Sequence, residues 1–338
     1  MLSSGNNKLY CILLIVSCSL FTIFLSCKKQ EMYYLTEGQI FHTSYHIKYK
    51  YGEELGKEIQ AHLDRFDLSL NPFNKNSIIY KVNNNEEIEV DDWFITVFRK
   101  AQEISKTSEG AYDITCAPLI NLWGFGFEKM NDVNKNTIDS LKQFIGYNKV
   151  RLEDRKVVKD DPRLQINASS IAKGYACDVI AQLLNSYGIT DYMIEIGGEI
   201  RAKGRNENSE YWKVMIPKPI DDNTNTINKR QEIVSLNNVS LATSGNYRNY
   251  YIKDEKKYAH TINPLTGYPT EGNILSATVI YPDCMTADAY ATAFMVLGLE
   301  KACFIADRIP EMDYLLIYSD KDGTLREKRS LYFEKHLP

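Results

Sequence analysis

The sequence has little of what marks fibrous or repetitive chains. It holds 10 Pro and 18 Gly in 338 residues, and no low-complexity stretch apart from the polar segment Asp221 to Arg230, read as a loop. No period of 20 to 50 residues repeats, which excludes a solenoid or a propeller. Lysine and arginine never gather into a block or a stripe with interleaved aromatics, and the formal charge is −4. A protein that tracks a phosphate backbone needs such a stripe, so nucleic-acid binding is not expected. The seven cysteines include no CxxC pair, so a zinc site is not expected either. The remaining composition, 44% hydrophobic and 25% charged, is ordinary for a globular protein. The length allows about two domains of ~150 residues or one larger one.

The first 26 residues stand apart. Lys8 is their only charge, and residues 9 to 26 are almost wholly apolar or small, which reads as a targeting segment. The run ends in Phe24-Leu25-Ser26-Cys27, followed at once by Lys28, Lys29 and Gln30. This resembles the lipobox of a bacterial lipoprotein, with residues 1–26 as the signal peptide, Cys27 as the lipidated first mature residue and 27–338 as the catalytic body. Ile15-Val16-Ser17-Cys18 fits the same pattern but would leave an exposed apolar run after the cut. The alternative is an uncleaved anchor of ~18 residues, long enough to span a bilayer. Either way the body is expected on the periplasmic side of the cell envelope, held at the membrane. Its cysteines, Cys116, Cys177, Cys284 and Cys303, lie in apolar or small-residue stretches, where buried thiols are the expected state and disulfides the alternative.

Hydrophobic periodicity predicts helices over Gly52 to Asp67, Asp91 to Ser108, Asn136 to Ile145, Ala172 to Tyr187 and Ala287 to Leu297. Alternation predicts strands over Ile47 to Tyr51, Leu164 to Ile166, Tyr192 to Ile196, Trp212 to Ile216, Glu232 to Leu236, Ile274 to Tyr281 and Tyr314 to Tyr318. Several neighbouring strands are joined by loops too short for a crossover helix, and helices cluster in the first half. The pattern predicts an α+β fold with a mixed or antiparallel sheet and flanking helices.

Five segments set Gly, Ser, Thr and Asp in apolar surroundings. In Ser108-Glu109-Gly110-Ala111-Tyr112-Asp113-Ile114-Thr115, Asp113 falls in a turn, either accepting from a ligand or capping local amides. Asn167-Ala168-Ser169-Ser170-Ile171-Ala172-Lys173-Gly174 runs into a helix start whose free amides suit an anion, with Lys173 adding charge; Ser capping without a ligand is the alternative. Glu195-Ile196-Gly197-Gly198-Glu199 breaks a strand with two glycines, which permits a bulge or a close approach. His260, beside the Asn263-Pro264 turn, can reach a cleft rather than a core. Asp288 and Thr292 share a helix face and can offer two oxygen ligands to magnesium, unless Thr292 bonds back to its own helix and Asp288 serves the macrodipole.

In order along the chain, these segments resemble the ApbE family of FAD:protein FMN transferases, from about Thr36 to about Leu299. The most recognisable block is Gly110-Ala111-Tyr112-Asp113-Ile114-Thr115-Cys116-Ala117-Pro118-Leu119-Ile120-Asn121-Leu122-Trp123-Gly124-Phe125-Gly126. Ile171 to Asp178, Ile196-Gly197-Gly198, Ala242-Thr243-Ser244-Gly245, His260 to Gly267 and Ala287 to Thr292 are similar to the family's other motifs. The resemblance implies a T-fold-like unit that binds FAD and magnesium and attaches FMN, through a phosphoester bond, to a Thr or Ser of an acceptor flavoprotein, releasing AMP. Carried over by position, Phe41, Phe73, Ala111, Tyr112, Asp113, Asn167, Lys173 and Thr261 line the FAD site. Ser170 (by its main chain), Asp288 and Thr292 surround the metal, and His260 is the base. Two departures stand out: Asn167 replaces the usual Asp, and Phe41-His42-Thr43 replaces Met-Gly-Thr. Attack by water instead of an acceptor would make the same site a periplasmic FAD pyrophosphatase giving FMN and AMP. A site without turnover would make the chain a flavin-binding lipoprotein.

Overall fold

The structure is a computed structural model that describes residues 31–126, 133–217, 231–246, 250–253, 256–270 and 272–338. The leader, Cys27, the segment Asp221 to Arg230, Tyr247 and Arg248 lie outside these residues. Two strands open the chain, β1 (Met32–Ile40) and β2 (Thr43–Tyr51). Helices follow: α1 (Gly56–Leu70), α2 (Ile78–Asn83), α3 (Asp92–Thr107), α4 (Ala117–Leu122) and α5 (Lys135–Lys142). After the small hairpin β3 (Val150–Glu153) and β4 (Lys156–Lys159) comes α6 (Ala172–Ser186). The strands β5 (Tyr192–Ile196), β6 (Glu199–Lys203), β7 (Trp212–Pro217), β8 (Gln231–Leu236) and β9 (Val239–Gly245) precede a hairpin of β10 (Tyr250–Lys253) and β11 (Lys256–Ala259). The chain ends with β12 (Ile274–Tyr281), α7 (Cys284–Leu297), α8 (Leu299–Ala306), β13 (Asp313–Ser319) and β14 (Leu325–Arg329).

Eight strands form one sheet in the order β1-β2-β5-β6-β9-β12-β13-β14, and every pairing in it is antiparallel. Successive side chains point to opposite faces, so each central strand serves two cores. In β13, Tyr314 and Leu316 enter the large core under the helices, whereas Leu315 and Ile317 enter a smaller one beneath the β7–β8 hairpin. A third cluster packs Leu119, Leu122, Trp123 and Ile138 against Ile262.

The α+β architecture is the expected one, with its sheet antiparallel throughout. Strands β5 and β12 match their predicted limits, and α3 starts where Asp91 caps the Phe94 amide at 2.8 Å. Several expected limits shift: α1 runs over Gly56–Leu70 rather than Gly52 to Asp67, β2 begins at Thr43 rather than Ile47, and α5 ends at Lys142 rather than Ile145. Helix α7 begins at Cys284 rather than Ala287, because the Asp283 carboxylate caps the Thr286 amide at 2.8 Å. Leu164 to Ile166 is not a strand: the Ile166 amide and carbonyl are both held by the Asn83 side chain, at 2.7 and 2.8 Å, so no ladder partner is needed. Cys116, Cys177, Cys284 and Cys303 are free thiols, the first three buried.

Candidate functional site

Two tight turns meet at one end of the sheet. Ile40 pairs with Thr43 and Ile196 with Glu199, so Phe41-His42 and Gly197-Gly198 are two-residue hairpin turns with positive φ throughout. They lie side by side because β2 pairs with β5 and the Gly197 amide donates to the Ser44 carbonyl at 3.0 Å. A Cβ on Gly197 would sit 2.9 Å from Thr43 Cγ2 and 3.1 Å from Lys173 Cδ, so glycine lets the lysine stem cross the turn. The glycine pair thus makes a turn and a close approach rather than a bulge. Phe41 packs on Phe66, with centroids 5.6 Å apart, and His42 on the exposed Phe73 at 5.4 Å, which gives this end an aromatic lip.

Below the turns, α6 and α7 cross closely. A Cβ on Gly174 would overlap the Cys284 carbonyl and lie 2.8 Å from Asp288 Cβ, so only glycine allows this contact. The Gly174 amide donates to Asp288 Oδ2 at 3.0 Å; Asp288 itself therefore takes one amide of the helix start. Lys173 Nζ stands 3.0 Å from Glu199 Oε1 and 3.9 Å from Asp288 Oδ2. The second Glu199 oxygen is buried with no hydrogen-bond partner. Burial raises Glu199 to about 7, with Lys173 opposing and Asp288 adding to the rise. Burial likewise raises Asp288, with Lys173 and the Gly174 amide offsetting part of it. Lys173 resists the loss of charge that burial favours, because Asp288 and Glu199 raise it.

Thr292, one turn along α7 from Asp288, does not bond back to its helix: its hydroxyl lies 3.1 Å from Ser244 Oγ at the end of β9. Two residues on, Asn246 Oδ1 accepts from the Thr261 hydroxyl at 2.9 Å, and Asn246 Nδ2 donates to Thr270 at 3.1 Å. The His260 loop also leans on the 110–126 block. Trp123 Nε1 donates to the Gly267 carbonyl at 2.9 Å, and the Phe125 and His260 rings stand 6.4 Å apart, edge to face. Tyr112 closes the group by accepting from the Ser170 hydroxyl at 3.1 Å.

The structure thus pairs Tyr112 with Ser170 and Lys173 with Glu199 and Asp288, and links Thr292 to Ser244, and Asn246, two residues on, to Thr261 beside His260. Asp113 and Asn167 bond backbone amides instead, Asp113 across to a second loop and Asn167 within its own. Asp113 accepts from the Thr115 amide and hydroxyl, at 2.8 and 2.7 Å, and from the Tyr147 amide at 2.8 Å. Burial pushes its pKa up against these bonds. Asn167 Oδ1 accepts from the Ser169 amide at 2.8 Å. Ala111 is buried beside Tyr112. Glu199 is not among the residues the sequence assigns to the site; its signal is its place directly after the Gly197-Gly198 pair. Asn246 carried no signal beyond its place after Ala242-Thr243-Ser244-Gly245.

Carboxylates, hydroxyls and one lysine thus converge at one end of the sheet. The chain belongs to the ApbE family, whose model matches residues 41–316. A curated relative from Vibrio cholerae, an FAD:protein FMN transferase, is 35% identical over 326 residues, covering 93% of this chain and 96% of its own. Another of that name from Haemophilus influenzae is 34% identical over 313 residues, covering 87% and 89%. Among solved structures, flavin transferase ApbE from Vibrio cholerae superposes with a TM-score of 0.81 at 34% identity, covering 91% of this chain and 100% of that one. Apo flavinyl transferase ApbE from Pseudomonas stutzeri gives 0.81 at 28% identity, covering 91% and 98%.

Proposed function

We propose that this chain, an FAD:protein FMN transferase by family, moves FMN from FAD to a Thr or Ser hydroxyl of an acceptor protein in a magnesium-dependent reaction that releases AMP. The observation that carries this reading is the cluster of Asp288, Glu199 and Lys173, where two buried carboxylates face one ammonium and one oxygen is unpartnered. Such a deficit suits a cation, and the donors are oxygens, as a hard cation prefers. Among the described residues no three His, Cys, Asp or Glu side chains gather so as to hold a metal ion, so the cation in this reading relies on one carboxylate with hydroxyl and main-chain oxygens.

Asp288, Thr292 and the Ser170 main chain would hold magnesium, whose charge neutralises the diphosphate oxygens of FAD. The acceptor oxygen bonds to the FMN phosphorus while the bond from that phosphorus to the AMP oxygen breaks. His260 takes the proton of the attacking hydroxyl. Lys173 offsets charge on the phosphate that leaves with AMP. Phe41 and Phe73 offer faces for a flavin or adenine ring, and Ala111, Tyr112, Asp113, Asn167 and Thr261 form the remaining walls of the FAD site. Cys27 carries lipid and tethers the enzyme to the bacterial envelope on its periplasmic side; the support is the lipobox-like leader, and Cys27→Ser should abolish labelling by fatty acid.

The test is the product pattern when the mature chain meets FAD and magnesium. AMP released only in step with FMN attached to a Thr-bearing acceptor is the expected result. Equal FMN and AMP without acceptor would make the chain a pyrophosphatase, and FAD bound without AMP release would make it a carrier.

A further inference from the structure

Glu199 lies outside the set of residues that the family resemblance assigns to FAD or metal, yet it is a buried charge in direct contact with that set. Its side chain is 6% exposed, one oxygen is on Lys173 at 3.0 Å, and the other has no partner. It opens β6 directly after the Gly197-Gly198 turn, so a rigid hairpin fixes its place. Lys173 is also fixed: its backbone lies in the first turn of α6, and its stem crosses Gly197. The ammonium therefore sits between two carboxylates, nearer Glu199 than Asp288.

We propose that Glu199 is a positioning residue that occupies the Lys173 ammonium and so leaves Asp288 available to a divalent cation. The argument is one of charge, and it rests on the metal reading given above. With Glu199 ionised, the three side chains carry one net negative charge, and a cation arriving at Asp288 meets a lysine already held elsewhere. Without that charge, Asp288 and Lys173 form a neutral buried pair, and a cation must displace an ammonium from its only counter-ion. The present geometry, with Lys173 nearly an ångström closer to Glu199 than to Asp288, is the one this role requires. Once the cation is bound, Glu199 is the anion that keeps Lys173 charged and aimed at the phosphates.

The experiment measures Mn2+ binding by electron paramagnetic resonance at pH 8, without FAD, in three proteins of matched fold by circular dichroism. Glu199→Gln keeps the shape and removes the charge, and should weaken Mn2+ by about 10- to 100-fold, the usual effect of losing a partner behind a metal ligand. Lys173→Met in that background restores the charge balance around Asp288 and should recover most of the lost affinity. A purely structural role for Glu199 would give no such rescue. Glu199→Gln that binds Mn2+ as the wild type does, a double variant no better than Glu199→Gln, or a wild type that binds no Mn2+ would each overturn the proposal. Loss and rescue in the variants, together with a wild type that binds Mn2+ yet transfers no FMN, would overturn the transferase reading and leave this one standing.

Discussion

Asp313 and Asp288 are both almost fully buried aspartates, at 2% and 3% exposure, yet their pKa values move in opposite directions. Asp313 opens β13 and is enclosed by the chain's end: Ser330 Oγ donates at 2.7 Å, His336 Nε2 lies at 3.0 Å and Lys335 Nζ at 2.6 Å. Burial would raise it, but the bonds from His336, Lys335 and Ser330 outweigh that and hold it at about 2. Asp288 has one backbone amide and a share of one lysine, and burial wins. Saturated partners make the first carboxylate a clasp. The second has fewer partners, and that difference sets a candidate site apart from a scaffold even where burial is equal.

The comparison is broken most severely if a site residue proves to be structural. His260→Ala should slow FMN transfer by about 10²- to 10⁴-fold while FAD affinity, read by flavin fluorescence, stays within a few-fold. Lost FAD affinity with a normal rate at saturating FAD would make His260 a ligand contact instead. Gly174→Ala forces α6 away from α7 and should cost about 3 kcal/mol, read as a lower denaturation midpoint together with lost metal affinity. An unchanged midpoint would show that the crossing is not tight.

At the clasp, Asp313→Asn should cost about 2 kcal/mol with little change in transfer rate, because it breaks charge-assisted bonds far from the chemistry. Its pH signature has a definite sign. A carboxylate held at about 2 stabilises the fold fully above the ordinary range near pH 4, and this stability is lost as pH falls toward 2. The variant should therefore lose less stability on acidification than the wild type. Glu199 has the opposite sign: a carboxylate raised from 4.5 to about 7 gives stability at low pH that is lost as pH rises through that window. The smallest expected effect follows from this, a gain of about 1 kcal/mol, or ~2 °C in Tm, for metal-free Glu199→Gln at pH 8. A lower Tm would mean that the Glu199–Lys173 pair is net stabilising and that the contrast with Asp313 is smaller than drawn.

Much of this was legible in the residues because period and caps are local. Strands β5 and β12 alternate cleanly, and Asp91 announces α3 three residues ahead of the amide that it caps. The strands β1, β6 and β9 were not read, since their exposed lysines, arginines and hydroxyls blur the alternation until the pairing across the sheet is known. The site's blocks were visible as polar runs in apolar surroundings, and Lys173, Asp288 and Thr292 were picked out from them. The charge balance was not legible. Glu199 meets Lys173 only because a hairpin turn and a helix start, 26 residues apart in sequence, are brought to the same sheet end. Nor could sequence say that Thr292 bonds Ser244 instead of its own helix, because that contact joins residues 48 apart.

The central claim is the proposal that Asp288, beside the underpartnered Glu199, holds a cation for FMN transfer. It is tested most directly by Asp288→Asn, which keeps the shape and the bond from the Gly174 amide but removes the charge. The measurement is the mass of an acceptor protein after incubation with FAD, across a magnesium titration, for both enzymes. The wild type should add FMN with a saturating dependence on magnesium that chelator abolishes, whereas Asp288→Asn, still binding FAD, should add none at the concentrations that saturate the wild type. Full FMN addition by Asp288→Asn in the presence of chelator would contradict the account.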